Sequence, residues 1–87
     1  MGNRQLAWTR EAWKDYLWWQ EQDRRMLRRI NKLIEATLRS PVEGAGKPEA
    51  LKESLSGFYS RRIGRIHRLV YAVEEKRVVV ISCLHHY

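Results

Sequence analysis

Cysteine is nearly absent from this chain. The one residue of that type, Cys83, excludes an intramolecular disulfide and sits in an apolar run, where a buried core thiol is expected. There is no Cys-x-x-Cys pair and no His/Cys cluster, so neither a metal site nor a cofactor is expected. Long apolar runs are missing too: the longest aliphatic stretch, Val78 to Ile81, is far too short to span a bilayer. The opening residues lack the charged-then-apolar pattern of a secretory signal. The glycines at 44 and 46 lack the spacing and the Lys-Ser/Thr ending of a phosphate-binding loop, so nucleotide binding is not implied. No internal repeat and no low-complexity segment occurs. The expectation is a soluble, cytosolic protein.

Acids are scarce as well. Ten Asp and Glu face seventeen Lys and Arg, for a formal net charge of +7. Such a balance points to a polyanionic partner: nucleic acid, an acidic protein or an anionic membrane surface. Aromatic residues are plentiful, with four Trp and four Tyr, which suits both a compact core and stacking on bases. Eighty-seven residues are expected to form one domain, 1–87. A domain this small buries a limited share of its surface, so a partner or a homodimer contact would add stability.

A short strand is expected near residues 4–8, followed by Thr9 as a helix N-cap with Glu11 in the first turn. Trp8 and Trp13 have the spacing of a hydrophobic staple. The first helix should run to about Gln20, with Trp13, Tyr16, Leu17 and Trp19 on its apolar side. Asp23 caps a second helix whose apolar positions are Met26, Leu27, Ile30, Leu33, Ile34 and Leu38, a clear amphipathic pattern. Its other face carries Arg24, Arg25, Arg28, Arg29, Lys32 and Arg39. That face is either a solvated helix surface or one that tracks phosphates on a large RNA, and the scarcity of acids favours the second. An aliphatic core stripe backs it, rather than an exposed insertion face, which argues against a membrane role.

Ser40-Pro41 ends the second helix. Residues 41–54 read as loop, with one helical turn allowed over Glu49 to Lys52. From Leu55 to Val73 two strands flank a turn at Gly64, and five basic groups lie among them: Arg61, Arg62, Arg65, His67 and Arg68. Alternation places Arg62 with Phe58 and Ser60, and places Arg68 on the face opposite Leu69 and Tyr71. Arginines along a sheet are costly unless they face water or an anion. His67 has the parity of Leu69 and Tyr71 and is expected to be a hydrogen-bonded structural histidine. The near-continuous apolar run 77–84 should be a central strand, and parity groups His86 with Val80 and Ser82. The element order β-α-α-β-β-β defines an α+β fold, with two helices packed on one face of a largely antiparallel sheet.

One set of side chains has the chemistry to cut RNA without a metal: Glu49, Arg62, Arg68, His86 and Tyr87. RNA brings its own nucleophile, the 2′-hydroxyl. An enzyme must add a base for that proton, cations for the charge building on the phosphate, and an acid for the departing 5′-oxygen. These residues are scattered, however, and many basic proteins contain such sets.

The segments AWTREAWKDYLWWQEQD, INKLIEATLRSPVEGAGKPEALK, LSGFYSRRIGRIHRLVYAV and HHY closely resemble the YoeB-type toxins of the RelE superfamily, from about Leu6 to Tyr87. The resemblance implies a RelE-like fold and the toxin of a type II toxin–antitoxin pair, neutralised by a YefM-like antitoxin. It further implies cleavage of mRNA in the A site of the 70S ribosome. Residue by residue, it assigns the general base to Glu49, the phosphate-binding arginine to Arg68, the general acid to His86 and substrate orientation to Tyr87. Lys52 and Arg62 match supporting basic positions. The chain departs from the pattern at Ala50, Tyr59, Ile66 and Leu84-His85. None of these removes a catalytic group, but Ile66, in place of an acid, bears on how Arg68 is held. Two other readings remain: a non-enzymatic toxin like the gyrase-directed ParE proteins, and an inactive paralogue that only binds antitoxin or RNA. An intact set of Glu49, Arg68 and His86 weighs against both.

Overall fold

The structure, a computed structural model, describes residues 4–51 and 57–84. Strand β1 (Gln5–Trp8) leads into helices α1 (Arg10–Gln22) and α2 (Arg24–Arg39). Strands β2 (Glu49–Ala50), β3 (Phe58–Arg62), β4 (Arg68–Val73) and β5 (Arg77–Ser82) follow. They form one five-stranded sheet in the order β1-β5-β4-β3-β2, antiparallel except where β1 joins β5. The apolar run 78–81 therefore lies on an interior strand, as its composition predicts. Glu49 and Ala50 are the exception to expectation: instead of a helical turn they form β2, opposite Ser60 and Tyr59. The exposed N–H and C=O groups of β3 offered this segment a ladder that a lone helical turn could not match.

Both helices start on the expected caps. The Thr9 hydroxyl accepts from the Ala12 amide at 3.0 Å and donates to the Ile81 carbonyl at 3.0 Å, so the cap also ties α1 to β5. Asp23 ends α1 and caps α2 through a 3.2 Å bond from the Met26 amide. The α2 stripe of Ile30, Leu33 and Ile34 is buried, with Thr37 beside it donating to the Leu33 carbonyl.

Helix α1 buries only part of the side that composition indicates, since Trp19 is buried and Tyr16 packs on the core but Trp13 and Leu17 do not follow. Ala12 and Trp19 are its buried residues, whereas Trp13 is 46% exposed and Leu17 also faces solvent. Small Ala12 lets the helix approach the sheet, and the Trp19 indole N–H finds the Cys83 carbonyl at 2.7 Å. Bulk alone did not decide the contact stripe; closeness and a buried donor's need for a partner did. The staple does form, with the Trp8 and Trp13 rings edge-on at 5.6 Å. His67 lies edge-on to Trp19 at 4.8 Å, in keeping with a structural role. No helix among the described residues is long and apolar enough to cross a membrane.

The sheet has two unlike sides. Arg61, Ile63, Leu69, Tyr71, Val78 and Val80 are all buried, and the apolar ones form one core cluster with Ile30 and Leu33. The other side carries Ser60, Arg62, Arg68 and Val70. Between β4 and β5 the register shifts: Tyr71 pairs with Val80, but Val70 pairs with Ser82. This irregularity, with Ile81 as the extra residue, sends Val80 and Ser82 to opposite sides. Simple alternation had grouped those two residues, so parity does not carry through β5 as the sequence suggests.

Candidate functional site

Three adjacent strands build a polar cluster on the side of the sheet away from the helices. Ser60 of β3 is opposite Glu49 of β2 on one flank and opposite Val70 of β4 on the other. Directly paired residues send their side chains to the same face, so Glu49 and Ser60 are neighbours. Arg68 lies two residues before Val70 and reaches diagonally across. Its Nε donates to the Ser60 hydroxyl at 2.9 Å and its Nη2 to Glu49 Oε1 at 2.8 Å. The Arg68 side chain is only 17% exposed, whereas that of Glu49 is 66% exposed. A charge-assisted bond of this length orients the carboxylate, which remains accessible.

Arg62 completes the cluster. It is directly opposite Arg68 in the ladder, a like-charge pairing that costs stability unless an anion intervenes. Among the described residues, Glu49 is the carboxylate that pairs with Arg68, and none pairs with Arg62. Among the described residues, two guanidinium groups against one carboxylate leave a local excess of one positive charge. A phosphate on this face would meet a serine hydroxyl, a paired arginine and an arginine that no described carboxylate pairs.

Sequence reasoning singled out Glu49, Arg62 and Arg68, and the fold brings them together. It had placed Ser60 on the right face without giving it a part; the signal was the shared parity with Arg62. Lys52, His86 and Tyr87 lie outside the described residues. On α2, the basic residues Arg24, Arg25, Arg28, Arg29 and Lys32 are exposed, and all but Arg24 line a shallow groove. They occupy the other layer of the molecule from the Glu49 cluster. Arg29 differs from the rest, since its guanidinium donates to the carbonyls of Ile63 and Arg62 and so pins α2 to the β3–β4 turn. No grouping of three or more His, Cys, Asp or Glu residues that could hold a metal occurs among the described residues.

Two helices on one side of a short, mostly antiparallel sheet are the architecture of the RelE-fold toxins. The match in sequence is more particular. Residues 8–87 fit the family described as YoeB-like toxin of bacterial type II toxin–antitoxin system, and the chain belongs to that family. It is 55% identical to toxin YoeB of Escherichia coli K12 over 82 residues, covering 94% of this chain and 98% of that one. Its fold matches the YoeB dimer from Staphylococcus aureus with a TM-score of 0.90 at 41% identity, covering 98% of this chain and 99% of the other. The heterotetrameric YoeB–YefM toxin–antitoxin complex of S. aureus gives 0.86 at 41% identity over 97% of this chain and 98% of the toxin chain.

Proposed function

We propose that this toxin is a ribosome-dependent endoribonuclease that cuts mRNA in the ribosomal A site and so stops translation. The observation that carries the reading is the accessible Glu49 carboxylate, held at 2.8 Å by Arg68 in a cluster with surplus positive charge. Glu49 takes the proton from a ribose 2′-hydroxyl. The 2′-oxygen attacks the adjacent phosphorus, and the bond from phosphorus to the 5′-oxygen breaks. His86 gives a proton to that leaving oxygen, and the products are a 2′,3′-cyclic phosphate and a 5′-hydroxyl. Arg68, with Arg62 and Lys52, stabilises the charge that grows on the phosphate, where fixed donors act most strongly. Tyr87 orients the nucleotide. All the required groups come from side chains and from the RNA, so no cofactor enters the step.

Arg68 has two anions to serve. In the free protein it pairs with Glu49; with substrate bound it must also face the phosphate. Relaxing its grip on Glu49 would release the carboxylate to act as base at the moment the phosphate arrives.

The ribosome supplies what a small open site lacks. Positioning of reacting groups is worth about 7–11 kcal/mol of a barrier, and an exposed two-residue strand offers a flexible mRNA little of it. The exposed arginines and Lys32 of α2 contact ribosomal RNA phosphates. A YefM-like antitoxin neutralises the toxin, and pairing of two copies adds stability; the S. aureus relatives form a YoeB–YefM toxin–antitoxin complex and a YoeB dimer. Primer extension on mRNA incubated with the protein, with and without ribosomes, tests the proposal. Cuts should appear only on ribosome-bound message; equal cutting of naked mRNA would sink it.

A further inference from the structure

Arg61 is the neighbour of Ser60 in the chain and faces the opposite way, into the core, where it is 0% exposed. Burying a guanidinium is costly unless its N–H groups find partners. Here Nε donates to the Tyr71 hydroxyl at 3.0 Å and Nη1 to the Ala45 carbonyl at 2.8 Å. Nη2 donates to the carbonyls of Ser40 and Glu43. The Tyr71 hydroxyl donates in turn to the Pro41 carbonyl at 2.6 Å. All these carbonyls belong to the segment between α2 and β2. One buried cation and one phenol therefore bind that segment at Ser40, Pro41, Glu43 and Ala45.

The segment then passes directly over Arg61. Gly46 has φ +82°, and a Cβ there would stand 2.9 Å from Leu33 Cδ2 and 3.1 Å from Arg61 Cβ, a space only glycine fits. The Gly46 carbonyl accepts from the Arg62 amide at 2.7 Å. Lys47 and Pro48 follow, and then Glu49. Strand β2 is two residues long and exposed, so its own ladder holds Glu49 weakly. Most of what fixes the approach to Glu49 lies on the core side of the sheet.

We propose that Arg61 is a positioning residue for the cleavage reaction. By clamping residues 40–46 from beneath, it sets the place of Glu49 against Arg68 and Ser60. This rests on the reading of Glu49 as general base. Lysine cannot replace it: an ammonium keeps the charge but lacks the planar fork that reaches a phenol and three carbonyls at once.

The test is single-turnover cleavage on programmed ribosomes with Arg61→Lys, Tyr71→Phe, Glu49→Gln, and each of the first two combined with Glu49→Gln. Thermal melts identify the variants that fold. Arg61→Lys should lower the rate at saturating ribosome about 10- to 100-fold, the scale of a small misplacement of a catalytic group, with the half-saturating concentration unchanged. Tyr71→Phe, which removes one hydroxyl, should lower it about fivefold. In the Glu49→Gln background neither change should lower the residual rate further. A purely structural role predicts the same fractional loss in both backgrounds, and that result would overturn the proposal. So would a folded Arg61→Lys that cleaves at the wild-type rate. If Arg61→Lys does not fold, Tyr71→Phe serves in the same comparison and decides it by the same criterion. Normal cleavage by Glu49→Gln overturns both this inference and the reading beneath it. An inactive Glu49→Gln beside a fully active Arg61→Lys overturns this inference alone.

Discussion

Arg61 and Arg68 are carried by neighbouring strands of one sheet and live in opposite environments. Arg61 is sealed in the core, and its partners are a phenol and fixed carbonyl dipoles. Arg68 is on the open face and binds a serine and a carboxylate that is 66% exposed. Neutral acceptors that cannot leave make a cation a structural fastener. An exposed anionic acceptor leaves it open to exchange, since a phosphate could compete for it. The same residue type thus serves anchorage on one side and, on the proposed reading, chemistry on the other, because Arg61 of β3 and Arg68 of β4 face opposite sides of the sheet.

The largest effects should fall on the open side and on rate alone. Glu49→Gln keeps the shape and removes the proposed base, and should lower single-turnover cleavage about 10²- to 10⁴-fold. Arg68→Ala should lower it on a similar scale through lost phosphate stabilisation, about 10²- to 10³-fold. Neither should move the melting temperature as far as a change at Arg61, because the Glu49 end of the pair is open to solvent, where an ion pair is worth about 0–1 kcal/mol. If Arg68→Ala melted far below wild type, the contrast with Arg61 would collapse.

Next in size is a stability effect on the sealed side. Arg61→Met removes a buried cation and leaves the Ala45, Ser40 and Glu43 carbonyls without the donor they have now. The cost should be about 1–3 kcal/mol, the range for buried hydrogen-bonding groups left unsatisfied. Denaturant unfolding measures it. A loss below about 1 kcal/mol would mean that solvent replaces the guanidinium, and that the segment 40–46 is held by other means.

A smaller, graded effect concerns the third group of cations, on α2. Reversing Arg24, Arg25, Arg28 or Lys32 to Glu should weaken ribosome binding and flatten its salt dependence. The slope of log affinity against log salt should change by about 0.7–0.9 for each phosphate no longer neutralised. Arg29 should behave differently, because its guanidinium already serves the Ile63 and Arg62 carbonyls, and its removal should also lower stability. Normal salt slopes in the reversed variants would show a merely solvated face.

Most of the scaffold was legible from local chemistry. Thr9 and Asp23 announced both helix starts, the α2 stripe announced its buried face, and the run 78–81 announced an interior strand. The readings that failed depended on partners remote in sequence. Helix α1 turns Trp13 outward because Ala12 and Trp19 meet β5, and Cys83, which accepts from the Trp19 indole, is sixty-four residues away from it. Strand β2 exists because β3 has an edge to offer. The register shift at Val70/Tyr71 has no signature in the apolar letters of β5. At the site, alternation grouped Ser60 with Arg62, and family resemblance supplied Glu49 and Arg68. The burial of Arg61 was not visible, because Arg61 and Arg62 are the same letter twice and only the pairing of β3 tells which one faces in.

The smallest effect tests the rule beneath the comparison: the sealed side tolerates charge only where it is caged. Cys83 is fully buried, and burial, reinforced by the nearby Asp15 carboxylate, pushes its thiol up to about 12 from an ordinary 9.0. Burial also raises the Tyr71 phenol, although the Arg61 guanidinium beside it opposes the shift. Both groups should stay neutral in the folded protein while the unfolded chain ionises. A folded value above the unfolded one means that the native state keeps a proton that the unfolded state has lost. Stability from Cys83 is therefore complete below about pH 9 and falls as pH rises toward 12, at up to about 1.4 kcal/mol per pH unit. At neutral pH the contribution to pH dependence is nil, so the effect appears only in alkaline melts. Cys83→Ala should flatten the decline between pH 9 and 10 by about 1 kcal/mol and leave cleavage at neutral pH intact. A melting curve that falls just as steeply without the thiol would show that Cys83 ionises as readily in the folded core as in the unfolded chain, and that the sealed side is more permissive of charge than the caging of Arg61 implies.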